Sequence, residues 1–331
     1  MTDVRAMLVG KVNDVWTRRV ETISSDALGD GEVLIAVEYS CINYKDGLST
    51  TEKGKVARID PLIPGVDLAG TVVESSDASI AVGSQVIAHG NDIGVAHHGG
   101  FATMARVPAN WIVPMPAGLT TKTAMMVGTA GFTAAMSVDA LERAGLKTEN
   151  GPVLVTGATG GVGSYAVGML AARGYEVVAS TGKASEVEWL KSIGATDVID
   201  RSETSAEQTK PLEKERWAGA VDCVGGNTLA YVLRTLKYGA SVAASGLTGG
   251  ANLPTTVLPF ILRGVNLLGI DSVSGSMDDR KMMWTRIASD LKPTWLDTQE
   301  SQIVGLDVVE PHLDAILKGQ VKSRVLVDPR I

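Results

Sequence analysis

The sequence predicts an α/β protein: a doubly wound parallel sheet joined to a second, β-rich domain. Three observations carry the prediction. A short apolar run, Val153-Leu154-Val155-Thr156, leads into the glycine-dense turn Gly157-Ala158-Thr159-Gly160-Gly161-Val162-Gly163-Ser164, and Tyr165 to Ala172 follows without a break. From Pro152 onward, β-branched apolar stretches alternate with helix-compatible ones, as crossover helices between parallel strands require. Before about residue 124 the chain instead reads as short strands divided by Gly, Pro, Asp and Ser.

Taken in order, Glu32 to Val37, Val66 to Val73, Gln85 to Ala88 and Phe101 to Val107 are the strand candidates of the first region. Weak helical stretches after Tyr44 are its main exception. Thr120 to Ala144 then shows helix-compatible Ala, Met and Leu spacing, interrupted by Gly128-Thr129-Ala130-Gly131. Beyond it come strand 153–156, a helix near 163–173, strand 176–179, a helix at about 185–193 and strand 197–200. A polar connection leads to strand 217–224, a helix near 228–237, and strands 241–245 and 266–270. A mixed helix, 277–291, and a final strand, 324–327, close the chain, with the tail expected to return to the first domain.

The strand–turn–helix unit is a ready seat for a pyrophosphate. The first N–H groups of the helix have no partner within it, and its dipole puts positive charge at the same end. Gly160, Gly161 and Gly163 allow the close backbone approach of a dinucleotide, with Thr159 and Val162 in the same loop. Ala158 stands where the usual first glycine would be. An acidic residue that would hold an NAD ribose belongs at the end of the next strand. The sequence has Ser180-Thr181-Gly182-Lys183 there, two hydroxyls and a cation, which suits a 2′-phosphate. NADPH is therefore expected over NADH, with Arg201 as a second cation. Ligands in such sheets lie beyond the carboxyl ends of the strands. That rim would carry the glycine loop, Ser180–Lys183, Arg201, Gly225, Leu247 and Ile270.

Composition narrows the function classes. At 331 residues and 45% hydrophobic content, two buried cores are expected. The net charge of −7, with no basic block, does not suggest nucleic-acid binding. Two cysteines, Cys41 and Cys223, cannot form a metal motif by themselves; they read as small buried hydrophobes in a reduced, cytoplasmic compartment. No charged-then-apolar leader opens the sequence, and no apolar run approaches membrane-spanning length, so no membrane association is expected.

Asn43-Tyr44-Lys45-Asp46, Pro64-Gly65-Val66-Asp67-Leu68-Ala69-Gly70, Gly128-Thr129-Ala130-Gly131-Phe132-Thr133-Ala134 and the glycine loop occur in an order that resembles the medium-chain dehydrogenase/reductase superfamily, in its quinone-oxidoreductase-like branch. Within that branch, Tyr44-Lys45-Asp46, His89-Gly90-Asn91-Asp92 and Gly269-Ile270-Asp271-Ser272-Val273 resemble the acrylyl-CoA reductases. The resemblance covers nearly the whole chain. It implies a GroES-like catalytic domain from both termini (1–124 and 271–331), a Rossmann NADPH-binding domain between them (125–270), and a homodimer joined through the nucleotide-binding sheets.

Where zinc-dependent relatives carry Cys-His-x-Asp and Gly-His-Glu, this chain has Asn43-Tyr44-Lys45-Asp46 and Gly65-Val66-Asp67. Valine cannot bind zinc and asparagine poorly replaces thiolate, so no metal is expected. Reduction of an activated alkene suits a metal-free site, because the charge develops on an enolate that hydrogen bonds can hold. Acrylyl-CoA to propanoyl-CoA is the expected reaction. The alternatives are reduction of a quinone or small enone, or a cofactor-binding regulatory or structural protein without turnover.

Each candidate residue also has a plain structural reading. Tyr44 offers a hydroxyl to cofactor or substrate, or is a turn tyrosine. Asn91 could hold the thioester oxygen; His89 beside it reads as structural, and His97-His98 as exposed. Asp46 reads as a structural partner rather than an acid, and Asp67 as an internal ion-pair member. Thr129 either touches the nicotinamide end or caps a helix. Lys183 and Arg201 either contact the 2′-phosphate or are solvated charges. Leu247 and Ile270 offer backbone or packing contacts to the cofactor. Arg324 either steadies the CoA or enolate, or is an edge-strand surface charge.

Overall fold

The computed structural model describes residues 2–207 and 210–331. Met1, at the head of the leader reading, and two positions of the polar connection after Asp200 lie outside the described residues. The chain divides into two compact units, Met1–Thr129 with Val273–Ala288 and Gln299–Ile331, and Ala130–Ser272 with Ser289–Thr298.

The first unit opens with a hairpin that the strand assignment above does not contain. Asp3–Val12 and Val15–Ser24 pair antiparallel from Asp3–Ser24 to Val12–Val15. Only Asn13 and Asp14 separate the strands, and both have positive φ, 50° and 64°. A two-residue turn of that kind matches the twist of the strands it joins, and Asn and Asp tolerate it better than most residues.

The unit's main sheet runs in the order Gln302–Val304, Val325–Val327, Val33–Cys41, Asp67–Ser75, Gln85–His89, Ile112–Pro114, with Met104–Val107 also paired to Val33–Cys41. Leu326 and Val327 pair with Cys41 and Ser40, which brings the tail into this sheet. Val33–Val37 is apolar without alternation because both faces are covered. Val33, Ile35 and Val37 enter one core with Leu68, Val86 and Ala88, while Leu34 enters the other with Met7, Leu62 and Phe101.

The second unit holds six parallel strands in the order Asp197–Asp200, Val177–Thr181, Val153–Val155, Trp217–Asp222, Leu236–Ala244, Asn266–Gly269. The first strand in sequence, Val153–Val155, is central, and the strand order reverses beside it. A ligand crevice opens at such a reversal. The fold is thus the expected α/β combination of a doubly wound sheet and a separate β-rich unit. Several elements differ from expectation, and the short helices Arg201–Ser205 and Leu258–Arg263 stand where none was assigned. The helix at 185–193 is a 3-10 turn, Ala184–Glu186, followed by Val187–Ser192. The strand expected from Ser241 begins at Leu236, which pairs with Trp217 before a register shift. Residues 289–298 belong to this unit through Trp295, whose indole meets Tyr165 edge-on at 5.0 Å and donates to the Ile193 carbonyl.

The helix Thr121–Arg143 corrects the expectation that no run reaches membrane-spanning length. By length and composition it is long and apolar enough, but 83% of its apolar window is buried in the protein. A core helix passes the same test. Its regularity breaks at Gly128, with φ 52° and ψ −162°, inside the predicted interruption.

Candidate functional site

The second unit carries the nucleotide seat. Gly160, extended at φ −81° and ψ 177°, caps the helix Gly161–Ala172, so the helix begins inside the glycine loop. Gly163 packs against the backbone of Gly157 and Ala158, where a Cβ would clash. Only glycine permits the loop to fold this closely onto its own helix. From the neighbouring strand, the Thr156 hydroxyl donates to Asp222 at 2.7 Å, and the other Asp222 oxygen accepts the Gly225 N–H at 2.7 Å. This carboxylate pins the carboxyl ends of two central strands together, and sequence spacing gave no sign of the pairing. Burial raises its pKa against those hydrogen bonds.

At the end of Val177–Thr181 the four candidates divide. Ser180 is buried and its hydroxyl lies 3.1 Å from that of Thr204, so it braces the strand end from within. Thr181 is also buried, and its hydroxyl accepts the Lys183 N–H at 3.1 Å, which shapes the turn. Gly182 is exposed, and Arg201 packs on it so closely that a Cβ would lie 2.5 Å from Nε. Arg201 itself is exposed, and Lys183 is half-buried. An exposed cation laid over a glycine at a strand end fits a dinucleotide with an anionic 2′ substituent. Thr159 is buried, Val162 half-buried, and Leu247 is exposed; the Ile270 N–H is committed to the Ala244 carbonyl.

The first unit carries Tyr44 and Asn91. Tyr44 opens the helix Tyr44–Ser49, is partly exposed, and follows the capping residue Asn43. Asp46 is fully buried and does structural work: its oxygens accept the N–H groups of Asn43 (2.8 Å), Gly65 (3.1 Å) and Val66 (2.9 Å). Those donors favour the carboxylate, but burial and the nearby Asp67 charge push its pKa up to about 7.

Behind Tyr44 lies a buried polar frame. Asp67 accepts from the Cys41 N–H (3.2 Å), the Asn43 amide (2.9 Å) and the Thr129 N–H (2.9 Å). Arg324 is 3.8 Å from Asp67, donates to Asn43 Oδ1 at 3.0 Å and touches the Cys41 sulfur. Arg324 is therefore not a surface charge: it is 5% exposed and joins this frame through Nη2. Gly128 leaves the room, since a Cβ there would come within 2.6 Å of Arg324 Nη2 and 2.9 Å of Asp67 Oδ2. Cys41 is buried in the frame, and burial pushes its thiol pKa well up. Burial and the Asp222 charge do the same for Cys223.

Asn91 adopts a left-handed backbone, φ 49°, and donates its N–H to the Val273 carbonyl at 3.2 Å. His89 is structural: the Trp284 indole donates to its Nε2 at 2.8 Å, and burial and Arg280 hold its pKa well below the usual value. His97 and His98 are half-buried rather than exposed. His97 lies 2.8 Å from the Asp30 carbonyl and edge-on to Trp111, while His98 Nδ1 accepts the Ile63 N–H.

The frame occupies the positions at which zinc ligands would be sought. Val66 offers no donor atom, and a guanidinium neutralises Asp67; a divalent cation would add positive charge beside Arg324. Among the described residues no group of three or more His, Cys, Asp or Glu gathers elsewhere. The donor set does not fit zinc.

Comparison with known proteins agrees with this arrangement. Residues 29–117 match the alcohol dehydrogenase GroES-like domain, and residues 161–289 match the zinc-binding dehydrogenase family. The acrylyl-CoA reductase AcuI of Ruegeria pomeroyi is 53% identical over 311 residues, 93% of each chain. The crystal structure of Bacillus subtilis protein YhfP with NAD bound superposes with a TM-score of 0.96 at 50% identity, covering 99% of this chain and 100% of that one. Escherichia coli K-12 YhdH with bound NADPH gives 0.93 at 45% identity, covering 98% and 99%. With the glycine seat in one unit, the metal-free Asn43–Asp67–Arg324 frame in the other, and likeness along nearly its full length, the chain belongs to the medium-chain dehydrogenase/reductase superfamily, within the quinone-oxidoreductase-like branch that includes the acrylyl-CoA reductases.

Proposed function

We propose that the protein is an NADPH-dependent oxidoreductase that reduces the C=C bond of a short enoyl-CoA, acrylyl-CoA to propanoyl-CoA, without zinc. The observation that carries this reading is the 53% identity to AcuI of Ruegeria pomeroyi across 93% of both chains. The cofactor assignment draws support from the absence of a carboxylate after Val177–Thr181 and from Arg201 packed on Gly182. Thr159, Gly160, Gly161, Val162 and Gly163 would cradle the pyrophosphate. Thr181, Gly182, Lys183 and Arg201 would hold the 2′-phosphate, with Ser180 bracing them. Tyr44, Thr129, Leu247 and Ile270 would line the remaining length of the cofactor.

NADPH, when bound, supplies a hydride to the β-carbon of the enoyl thioester. The protein's task is then to hold the charge that moves to the thioester oxygen until the α-carbon takes up a proton, from water or a side chain, to give the saturated thioester. We assign that task to the Asn91 amide, assisted by the Tyr44 hydroxyl. Arg324, expected from sequence to steady the CoA or the enolate, would serve this task by fixing Asn43 and hence the start of the Tyr44 helix. A protein working on a cytoplasmic CoA thioester would be cytoplasmic. The exposed Leu267 on the edge strand Asn266–Gly269, with exposed Ile261 and Leu262 on the helix Leu258–Arg263, supports a homodimer joined at this edge.

A second reading, reduction of a quinone or small enone, is favoured by the 51% identity to YhfP of Bacillus subtilis, which is named as a quinone oxidoreductase. Steady-state NADPH oxidation with acrylyl-CoA, crotonyl-CoA and a simple quinone, repeated with NADH, separates the two. Acrylyl-CoA turnover well above quinone turnover is expected, with NADPH well above NADH. Preference for the quinone would move the function to the second reading, and preference for NADH would remove the 2′-phosphate argument.

A further inference from the structure

Arg280 lies far in sequence from Asn91, yet it is buried at 2% exposure against the strand end that carries Asn91. It belongs to the helix Met277–Ile287 and is matched by the fully buried Trp284 one turn later. An arginine is rarely buried to this degree unless its donors are used. Its Nη2 donates to the Val273 carbonyl at 3.0 Å, the same oxygen that accepts the Asn91 N–H at 3.2 Å. Its Nη1 lies 3.0 Å and 3.3 Å from the two ring nitrogens of His89. The indole N–H of Trp284 can only donate, so His89 Nε2 accepts and the ring is neutral. A neutral ring beside the guanidinium avoids a second buried cation.

Gly90 completes the arrangement. It stands at φ 74°, and a Cβ there would meet both Nη1 and Nη2 of Arg280 at 2.9 Å. Gly90, the first of two consecutive left-handed residues, thus lies against both Nη atoms of one guanidinium, and Asn91 follows it directly. A left-handed asparagine persists where its surroundings hold it. Here the holding groups are the shared Val273 carbonyl and the Arg280 fork.

We propose that Arg280 is a positioning residue for the reductive step: lodged against His89, Gly90 and the Val273 carbonyl, it fixes the left-handed backbone of Asn91 and so the aim of the Asn91 amide at the thioester oxygen. The proposal rests on the reading that Asn91 holds that oxygen. A lysine could reach one of these partners but cannot present a planar fork to two.

The test is a double-mutant cycle on the full-length protein with acrylyl-CoA. It compares wild type, Asn91→Ala, Arg280→Lys and the double variant, with kcat, KM, NADPH affinity by fluorescence titration and Tm measured for each. Gly90→Ala, which displaces the guanidinium without removing it, serves as a second route if Arg280→Lys fails to fold. The expected result is a kcat loss of roughly ten- to a hundredfold for Arg280→Lys, with NADPH affinity unchanged. That loss should disappear in the Asn91→Ala background. Unchanged kcat in Arg280→Lys, or a loss that multiplies with that of Asn91→Ala, would overturn the proposal while leaving Asn91 in its role. Full activity in Asn91→Ala would overturn both. A variant that loses only Tm, with kcat intact at a permissive temperature, would make Arg280 a structural anchor and nothing more.

Discussion

Asp67 has no solvent exposure and accepts hydrogen bonds from two segments distant in sequence, from Cys41 and Asn43 in one and from Thr129 in the other. Its charge also faces Arg324, which is buried with it. Removing one partner of such a pair strands the other charge. Asp67→Asn is therefore expected to cost about 3–5 kcal/mol, read as a lower denaturant midpoint at unchanged slope. Asp46 gives a different signature. Its folded pKa, about 7, lies above the ordinary 3.8, so between those values the native state holds a proton that the unfolded chain has released. Stability contributed by that proton is full below the unfolded value and is lost as pH rises towards 7. Urea melts from pH 4 to 7 should show Asp46→Asn flattening this decline; an unchanged slope would place the proton elsewhere.

At the scale of elements, the end of the strand Val177–Thr181 is where the proposed preference for NADPH would be set. Alternation along the strand turns Ser180 inward to Thr204, and the Thr181 hydroxyl closes the turn on the Lys183 N–H. The exposed surface is left to Gly182 and Arg201, with Lys183 half-buried between strand and helix. A charge-assisted phosphate contact is worth about 1.5–3 kcal/mol, so Arg201→Ser should raise KM for NADPH by roughly ten- to a hundredfold. KM for NADH should stay nearly constant, and steady-state kinetics with both cofactors reads the difference. Equal changes for both would remove Arg201 from the 2′ position. The helix Thr121–Arg143 illustrates the same dependence on surroundings: its break at Gly128 makes room for a frame built from Cys41, Asp67 and Arg324.

At the scale of the whole molecule, the six-stranded sheet ends in an open edge. Asn266–Gly269 pairs on one side only, and the nearby helix Leu258–Arg263 exposes Ile261 at 68% and Leu262 at 58%. Isolated sheet edges with apolar surface invite pairing with another chain. Wild type is expected to sediment as a dimer, and Ile261→Asp combined with Leu267→Lys as a monomer with its secondary structure intact. A wild-type monomer at micromolar concentration would remove the edge-to-edge assembly.

What the sequence determined by itself was local. Val153–Ser164 carries its strand, its turn and the first turn of its helix within twelve neighbouring residues, and the alternation after Pro152 is a matter of short-range period. The two-residue turn at Asn13-Asp14 was equally local and could have been found from its residue types. Thr129, Asp46 and the lack of zinc donors could be weighed for the same reason: residue type limits what a side chain can do. Tertiary structure decided the partners. Arg324 meets Asn43 from 281 residues away, Arg280 meets His89 from 191, and Thr156 meets Asp222 from 66. No periodicity records such pairings, because they arise only when separate strands are packed side by side and buried charges must find one another. That is why Arg324 could be read as an edge-strand cation, and why Arg280 gave no signal until the fold placed it beneath Asn91.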